Sequence, residues 1–128
     1  MEHSNAALVR RLFSEYADFK MVVDVFSSDA VWIEPGISPI SGRHVGHREI
    51  HALMVDIMTL SMGTFRIVEV TDVLASDRYG LAVIQVEGTH DSRYILATDR
   101  VVFAFEAGHI CELRVLSEDQ AEVDGFWA

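Results

Sequence analysis

Residues 94–116 read YILATDRVVFAFEAGHICELRVL, two arms of period-two alternation around a glycine-containing break. Alternation sustained over that length gives a strand two different faces, and the pair of arms predicts a long β-hairpin. One face collects Ile95, Ala97, Asp99, Val101, Phe103 and Phe105 from the first arm, with Cys111, Leu113 and Val115 from the second. The opposite face carries Arg100, Glu112 and Arg114 among Tyr94, Leu96, Ile110 and Leu116. Glu106-Ala107-Gly108-His109 forms the turn, with a glycine where a short hairpin loop needs positive φ. Asp99 is the one acid on the apolar face, and the functional reading begins with it.

Working outward, residues 5–18 predict an amphipathic helix, with Leu8, Leu12, Phe13 and Tyr16 at helical spacing and Ser4 or Asn5 as its cap. A short second helix over 19–26 places Phe19, Val22, Val23 and Phe26 on one side. Ser27-Ser28-Asp29 turns the chain into a strand over 30–34, which Pro35-Gly36 ends. A loop follows, with one short strand around 43–45. A third helix then runs from Gly46 to about Ser61, its stripe made of Ile50, Leu53, Met54, Ile57 and Leu60. Strands over 64–74 and 79–89 precede the hairpin. The order α-α-β-(β)-α-β-β-β-β describes a single α+β domain over 1–128, with helices covering one face of a mostly antiparallel sheet.

Composition narrows the class of partner. The chain has 128 residues, half of them apolar, and a formal net charge of −10. That balance disfavours nucleic acid, whose phosphates attract Lys and Arg, and it disfavours anionic membranes. No apolar run approaches the ~18 residues of a membrane span, and the N-terminus lacks a basic-then-apolar signal, so a soluble cytoplasmic protein is expected. The single cysteine excludes an internal disulfide. Its place on the apolar side of the strand reads as a buried, inert thiol.

The element order, with four local signatures, resembles the nuclear transport factor 2-like superfamily, and within it the SnoaL-like polyketide cyclase and ketosteroid isomerase branch. The signatures are Phe26-Ser27-Ser28-Asp29-Ala30, Glu34-Pro35, the stretch from Ser41-Gly42-Arg43 to Glu49-Ile50, and Phe103-Ala104-Phe105-Glu106-Ala107-Gly108-His109-Ile110. The tail, from Glu118-Asp119-Gln120 to Asp124-Gly125-Phe126-Trp127, is similar to a subset of SnoaL-like proteins. The resemblance implies a cone-shaped, curved, mostly antiparallel sheet that closes with three helices around an apolar pocket, a fold also described as cystatin-like. Isomerases, cyclases, dehydratases, epoxide hydrolases and plain binding proteins share it, so the site must decide the activity.

Glu34 and Asp99 are the candidate catalytic residues. The resemblance places Glu34 where ketosteroid isomerases keep the carboxylate that moves a proton. A carboxylate at a strand end facing an apolar cavity is desolvated, which raises its pKa toward that of a useful base. Strand parity sends Asp99 toward the same cavity, unless a bulge reverses it. The isomerase's oxyanion-stabilising acid aligns with Val101, so Asp99 reads as a replacement acid or second base. The isomerase's first-helix tyrosine aligns with Arg10, and no tyrosine takes its place there, although Tyr16 lies further along. An epoxide-hydrolase arrangement needs Arg between two Asp side chains in the pocket, whereas Asp99 and Arg100 point to opposite faces.

Periodicity nominates Trp32, Leu53, Met54, Ile57, Ile84, Val86, Val101, Phe103 and Leu113 as the substrate-binding lining, and Trp127 joins them from a tail that reads as a lid or a dimer contact. His44, His47 and His51 invite a metal reading, but His47 and His51 flank the apolar stripe and no carboxylate completes the set, so no metal and no cofactor is expected. Gln85, Glu87, Arg100, Glu112 and Arg114 alternate in sign on the outer sheet face, which suits a homodimer. The expectation is a cofactor-independent enzyme that performs isomerisation, cyclisation or dehydration on a hydrophobic, carbonyl-bearing small molecule such as a polyketide intermediate. The alternative is a non-catalytic binding or dimeric scaffold protein of the same fold.

Overall fold

The computed structural model describes residues 2–128. Helices α1 (Ser4–Ser14) and α2 (Phe19–Val25) lead into β1 (Phe26–Glu34) and the short β2 (Gly42–Val45). Helix α3 (Gly46–Leu60) is followed by β3 (Arg66–Ala75), β4 (Tyr79–His90), β5 (Arg93–Glu106), β6 (His109–Ser117) and α4 (Gln120–Trp127). The sequence expectation of three helices is one short. The tail is itself a helix, capped by the Asp119 side chain, which accepts from the Glu122 N–H.

The strands form one sheet in the order β2-β1-β6-β5-β4-β3. Only β1 and β6 run parallel. The hairpin is tighter than its sequence suggests. Glu106 pairs with His109, leaving a two-residue turn of Ala107 (φ 50°) and Gly108 (φ 76°), the doubly left-handed geometry that matches strand twist.

Bulges bend the sheet and reset which residues face inward. In β3, Val68 and Thr71 each stand as an extra residue against β4, so Ile67, Val70 and Val73 face the core at intervals of three. In β6, Cys111 is extra between Ile110 and Glu112. Ile110 therefore turns inward and is fully buried, while Cys111 is only half-buried, with its thiol directed at the Ala104 carbonyl. This corrects the expectation of a buried thiol and an outward Ile110. The β4–β5 register runs unbroken from Tyr79–Ala104 to His90–Arg93, and the β5–β6 ladder has no bulge between Asp99 and Ala104. Asp99 keeps the parity of Val101 and Phe103.

The helices lie on the concave side. Val9, Leu12 and Phe13 of α1 and Ile50, Leu53, Met54 and Ile57 of α3 are buried in the core. His3, not Ser4 or Asn5, caps α1 by accepting the Asn5 N–H, and Asn5 is instead buried, donating to the carbonyls of Ser76 and Asp77. In α2 the buried face is Met21, Val22 and Val25, so Phe19 and Val23 are exposed rather than inward.

Two glycines give opposite tests of packing. A Cβ on Gly80 would lie 2.8 Å from the Phe105 ring and 3.0 Å from the Leu74 carbonyl oxygen, whereas one on Gly125, inside α4, would meet nothing within 4 Å. Gly80→Ala is expected to cost about 1–3 kcal/mol by overpacking. Gly125→Ala is expected to gain about 0.5–1 kcal/mol from helix propensity. Denaturant unfolding reads both, and equal effects would contradict the packing described.

Candidate active site

Three acidic groups reach one cavity between the sheet and the helices. Glu34 arrives at the end of β1, where Pro35 stops the strand. Asp99 comes from the middle of β5, directly across the ladder from Ser117 of β6. Tyr16 arrives from the turn after α1, just before Ala17 reverses the chain at φ 72°. All three line the cavity, together with Ser117 and a ring of apolar side chains.

Burial sets the electrostatics. The Trp32 indole N–H donates to Oε1 of Glu34 at 3.0 Å, leaving the other carboxyl oxygen free to carry a proton. Burial pushes the Glu34 pKa up to about 8; the Trp32 bond opposes the shift and the nearby Asp99 charge adds to it. Burial also pushes Asp99 up to about 6, with Ser117 opposing, and its Oδ1 is buried without any hydrogen-bond partner. The Tyr16 phenol is raised well beyond its ordinary value, first by burial and then by the two carboxyl groups. Near neutral pH the pair holds about one proton, and Tyr16 stays neutral.

The cavity brings together most of the nominated lining. Trp32, Ile57, Ile84, Val86, Val101 and Trp127 face it with Glu34 and Asp99. Leu53, Met54, Phe103 and Leu113 do not. They are buried against neighbouring elements, because inward-facing positions of a small cone also have to fill its closed end. The residues the sequence reading missed include Phe13, Tyr16, Ile40, Phe65, Ile67, Ile95, Val115 and Val123. Tyr16 was legible, since it continues the Leu12–Phe13 stripe; Ile40 and Val123 sit in a loop and a helix that no periodicity announced.

No protein-family model matches the chain, and neither does any curated protein. Solved structures do. Bal32a, from a soil-derived mobile gene cassette, is 28% identical over 98% of this chain and 97% of its own, with a TM-score of 0.91. A nuclear transport factor 2-like protein of unknown function from Burkholderia pseudomallei covers 98% of each chain at 19% identity and a TM-score of 0.85. A putative SnoaL-like polyketide cyclase from Jannaschia covers 99% of this chain and 94% of its own at 16% identity and a TM-score of 0.81. The fold is nuclear transport factor 2-like.

In this nuclear transport factor 2-like cone, α4 supplies part of the cavity wall through Val123 and Trp127. It is held at both ends. Arg93 donates to the carbonyls of Gly125, Phe126 and Ala128, and the His90 Nδ1–H donates to Phe126 at 3.0 Å. On the other side the Ile37 N–H donates to Asp124 at 3.1 Å. Gly36, at φ 90°, makes that seat possible, because a Cβ there would lie 2.1 Å from Asp124 and 2.3 Å from Gln120. The free space that remains is about 60 Å³. That is room for about four water molecules, against the ~300 Å³ at the lower end of small-molecule sites.

The three histidines of the loop and α3 are used separately. His44 bonds the Ile40 carbonyl at 3.1 Å, His47 that of Phe26 at 2.8 Å and His51 that of Ala17 at 3.0 Å. Among the described residues, no three His, Cys, Asp or Glu side chains are grouped to hold a metal ion, and no helix is long and apolar enough to cross a membrane.

The raised carboxyl groups make stability depend on pH with a definite sign. The folded chain keeps protons on Glu34 and Asp99 that the unfolded chain releases near pH 4, so the folded state is favoured most at the acid end of that window. The advantage is lost as pH rises through about 6 and then about 8. The melting temperature should fall between roughly pH 5 and 9. Glu34→Gln should flatten the upper part of the fall and Asp99→Asn the lower part in calorimetric scans. Parallel profiles for wild type and both variants would contradict the burial of the pair.

Proposed function

We propose that the protein is a cofactor-independent enzyme that moves a proton on a hydrophobic, carbonyl-bearing small molecule such as a polyketide intermediate. The carrying observation is the pair of carboxyl groups with unequal, raised pKa values in one apolar cavity beside a neutral phenol. Separated pKa values within a pair distinguish the acid from the base. Asp99, the stronger acid, is the carboxylate that removes a proton α to the carbonyl. Glu34 keeps its proton on the oxygen that Trp32 leaves free, and with the Tyr16 hydroxyl donates to the oxygen on which negative charge develops. These roles are the reverse of those suggested by sequence, and burial is the reason, since Glu34 is the more strongly shifted of the two.

Return of the proton to another carbon gives isomerisation. Attack of the enolate on a second carbonyl gives cyclisation, and expulsion of a β-hydroxyl gives dehydration. The likeness to a putative SnoaL-like polyketide cyclase supports this chemistry through fold alone. The small free volume suits a single-ring substrate, and anything longer requires α4 to move aside. It also favours the second reading, a non-catalytic binding or scaffold protein. A second copy of the chain fits the outer sheet face, where Tyr94, Leu96 and Leu116 are exposed among Arg100, Glu112 and Arg114. Leu96→Glu should then convert a dimer to a monomer in light scattering.

The test is deuterium exchange at the α-carbon of small cyclic ketones, followed by NMR. Exchange should exceed that in buffer, rising through an apparent pKa near 6 and falling through one near 8. Asp99→Asn should lose about a hundredfold or more. Glu34→Gln, whose amide can still donate, should lose far less but also lose the alkaline limb. The opposite pattern would make Glu34 the base. Exchange no faster than buffer across the panel would sink the enzyme and leave the binding reading.

A further inference from the structure

We infer that the cavity is also a receptor for small organic cations, amines or ammonium ions with a compact apolar body. This inference rests on the charge and lining of the cavity and does not require that proton transfer occur there.

The side chains that face the cavity are lopsided in charge. Its ionisable members are Glu34, Asp99 and Tyr16, all acids, and no Arg, Lys or His joins them. Buried carboxylates ordinarily take a cation or several N–H donors as partners. Glu34 has one, from Trp32. Asp99 Oδ1 has none, although it is shut away from solvent. An acceptor left in that state is a standing cost that a ligand removes by donating to it. A carboxylate or phosphate ligand does the reverse, adding like charge to the site. A neutral ligand without an N–H or O–H leaves Oδ1 as it was.

The remainder of the wall fits the same class of ligand. Phe13, Tyr16, Trp32, Phe65 and Trp127 all contribute to it. Aromatic faces attract cations through their quadrupoles, most strongly when water is excluded, as in the aromatic cages that take quaternary ammonium groups. Free space of about 60 Å³ limits the ligand to a handful of heavy atoms while α4 is seated. The net charge of −10 on the chain draws cations toward it from solution. A cation seated between Asp99 and Glu34 would occupy the place of a ketone, so it competes with any substrate of the reaction proposed above.

The experiment compares cyclopentylamine, cyclopentanol and cyclopentanecarboxylate by titration calorimetry and ligand-observed NMR at neutral pH. The amine should bind at least about tenfold more tightly than the alcohol, and the carboxylate should show no binding over the same range. Asp99→Asn should remove that advantage while leaving alcohol binding and the melting transition intact. Equal affinity for the three, or an amine affinity that Asp99→Asn does not change, would overturn the inference and point to non-specific attraction by the acidic surface. The ketone exchange assay separates the two readings. Amine binding without exchange leaves this inference standing alone. Exchange that cyclopentylamine fails to inhibit removes the inference and spares the enzyme.

Discussion

Glu34 and Asp99 occupy one apolar cavity with no positive charge to neutralise either, and the surrounding structure is what makes that tolerable. A fully ionised pair would be costly there, because desolvation and mutual repulsion act in the same direction. Retaining a proton relieves both terms. The site thus owes its proton inventory near neutrality to exclusion of water, and the exclusion comes from elements far apart in sequence: the α1 turn, the end of β1, the middle of β5 and the terminal helix. Trp32 refines the outcome by occupying one oxygen of Glu34. Its hydrogen bond lowers the pKa, yet burial outweighs it.

Sheet curvature is the condition for such a cavity. A flat six-stranded sheet covered by helices would fill its interior with side chains. The two extra residues of β3 and the one in β6 instead bend the strands, so that inward positions converge on a hollow. The unbroken β4–β5 ladder between them keeps Asp99 pointing into that hollow rather than out to the solvent beside Arg100.

Regular features of this fold are legible in the sequence and irregular ones are not. Period-two alternation in residues 94–105 places Asp99 correctly because no bulge interrupts β5 before it. The same logic fails at Cys111, where an extra residue exchanges its position with that of Ile110. It places Leu53, Met54, Phe103 and Leu113 inside the cone, but inside is not the same as lining a void. Tyr16 lies on the helical stripe of α1, yet its role depends on where the following turn aims it, which only the tertiary structure decides. The tail is the least regular case. Gln120 to Trp127 has a weak apolar pattern with an internal glycine, and it is helical because Asp119 caps it and Arg93, His90 and the loop after β1 receive it.

The seat of α4 at Gly36 lies two residues beyond Glu34, on the same short connection. Lifting the helix breaks the bond between Asp124 and the Ile37 N–H and lets water reach the carboxyl group next to that hinge. Its high proton affinity then has no cause, and the proton leaves. The acid is therefore a property of the shut vessel, not of the residue: an open cone holds an ordinary ionised glutamate, and closure over a guest arms it. Opening and proton loss are mechanically one event, which protects the exposed state from spending its proton on whatever drifts past.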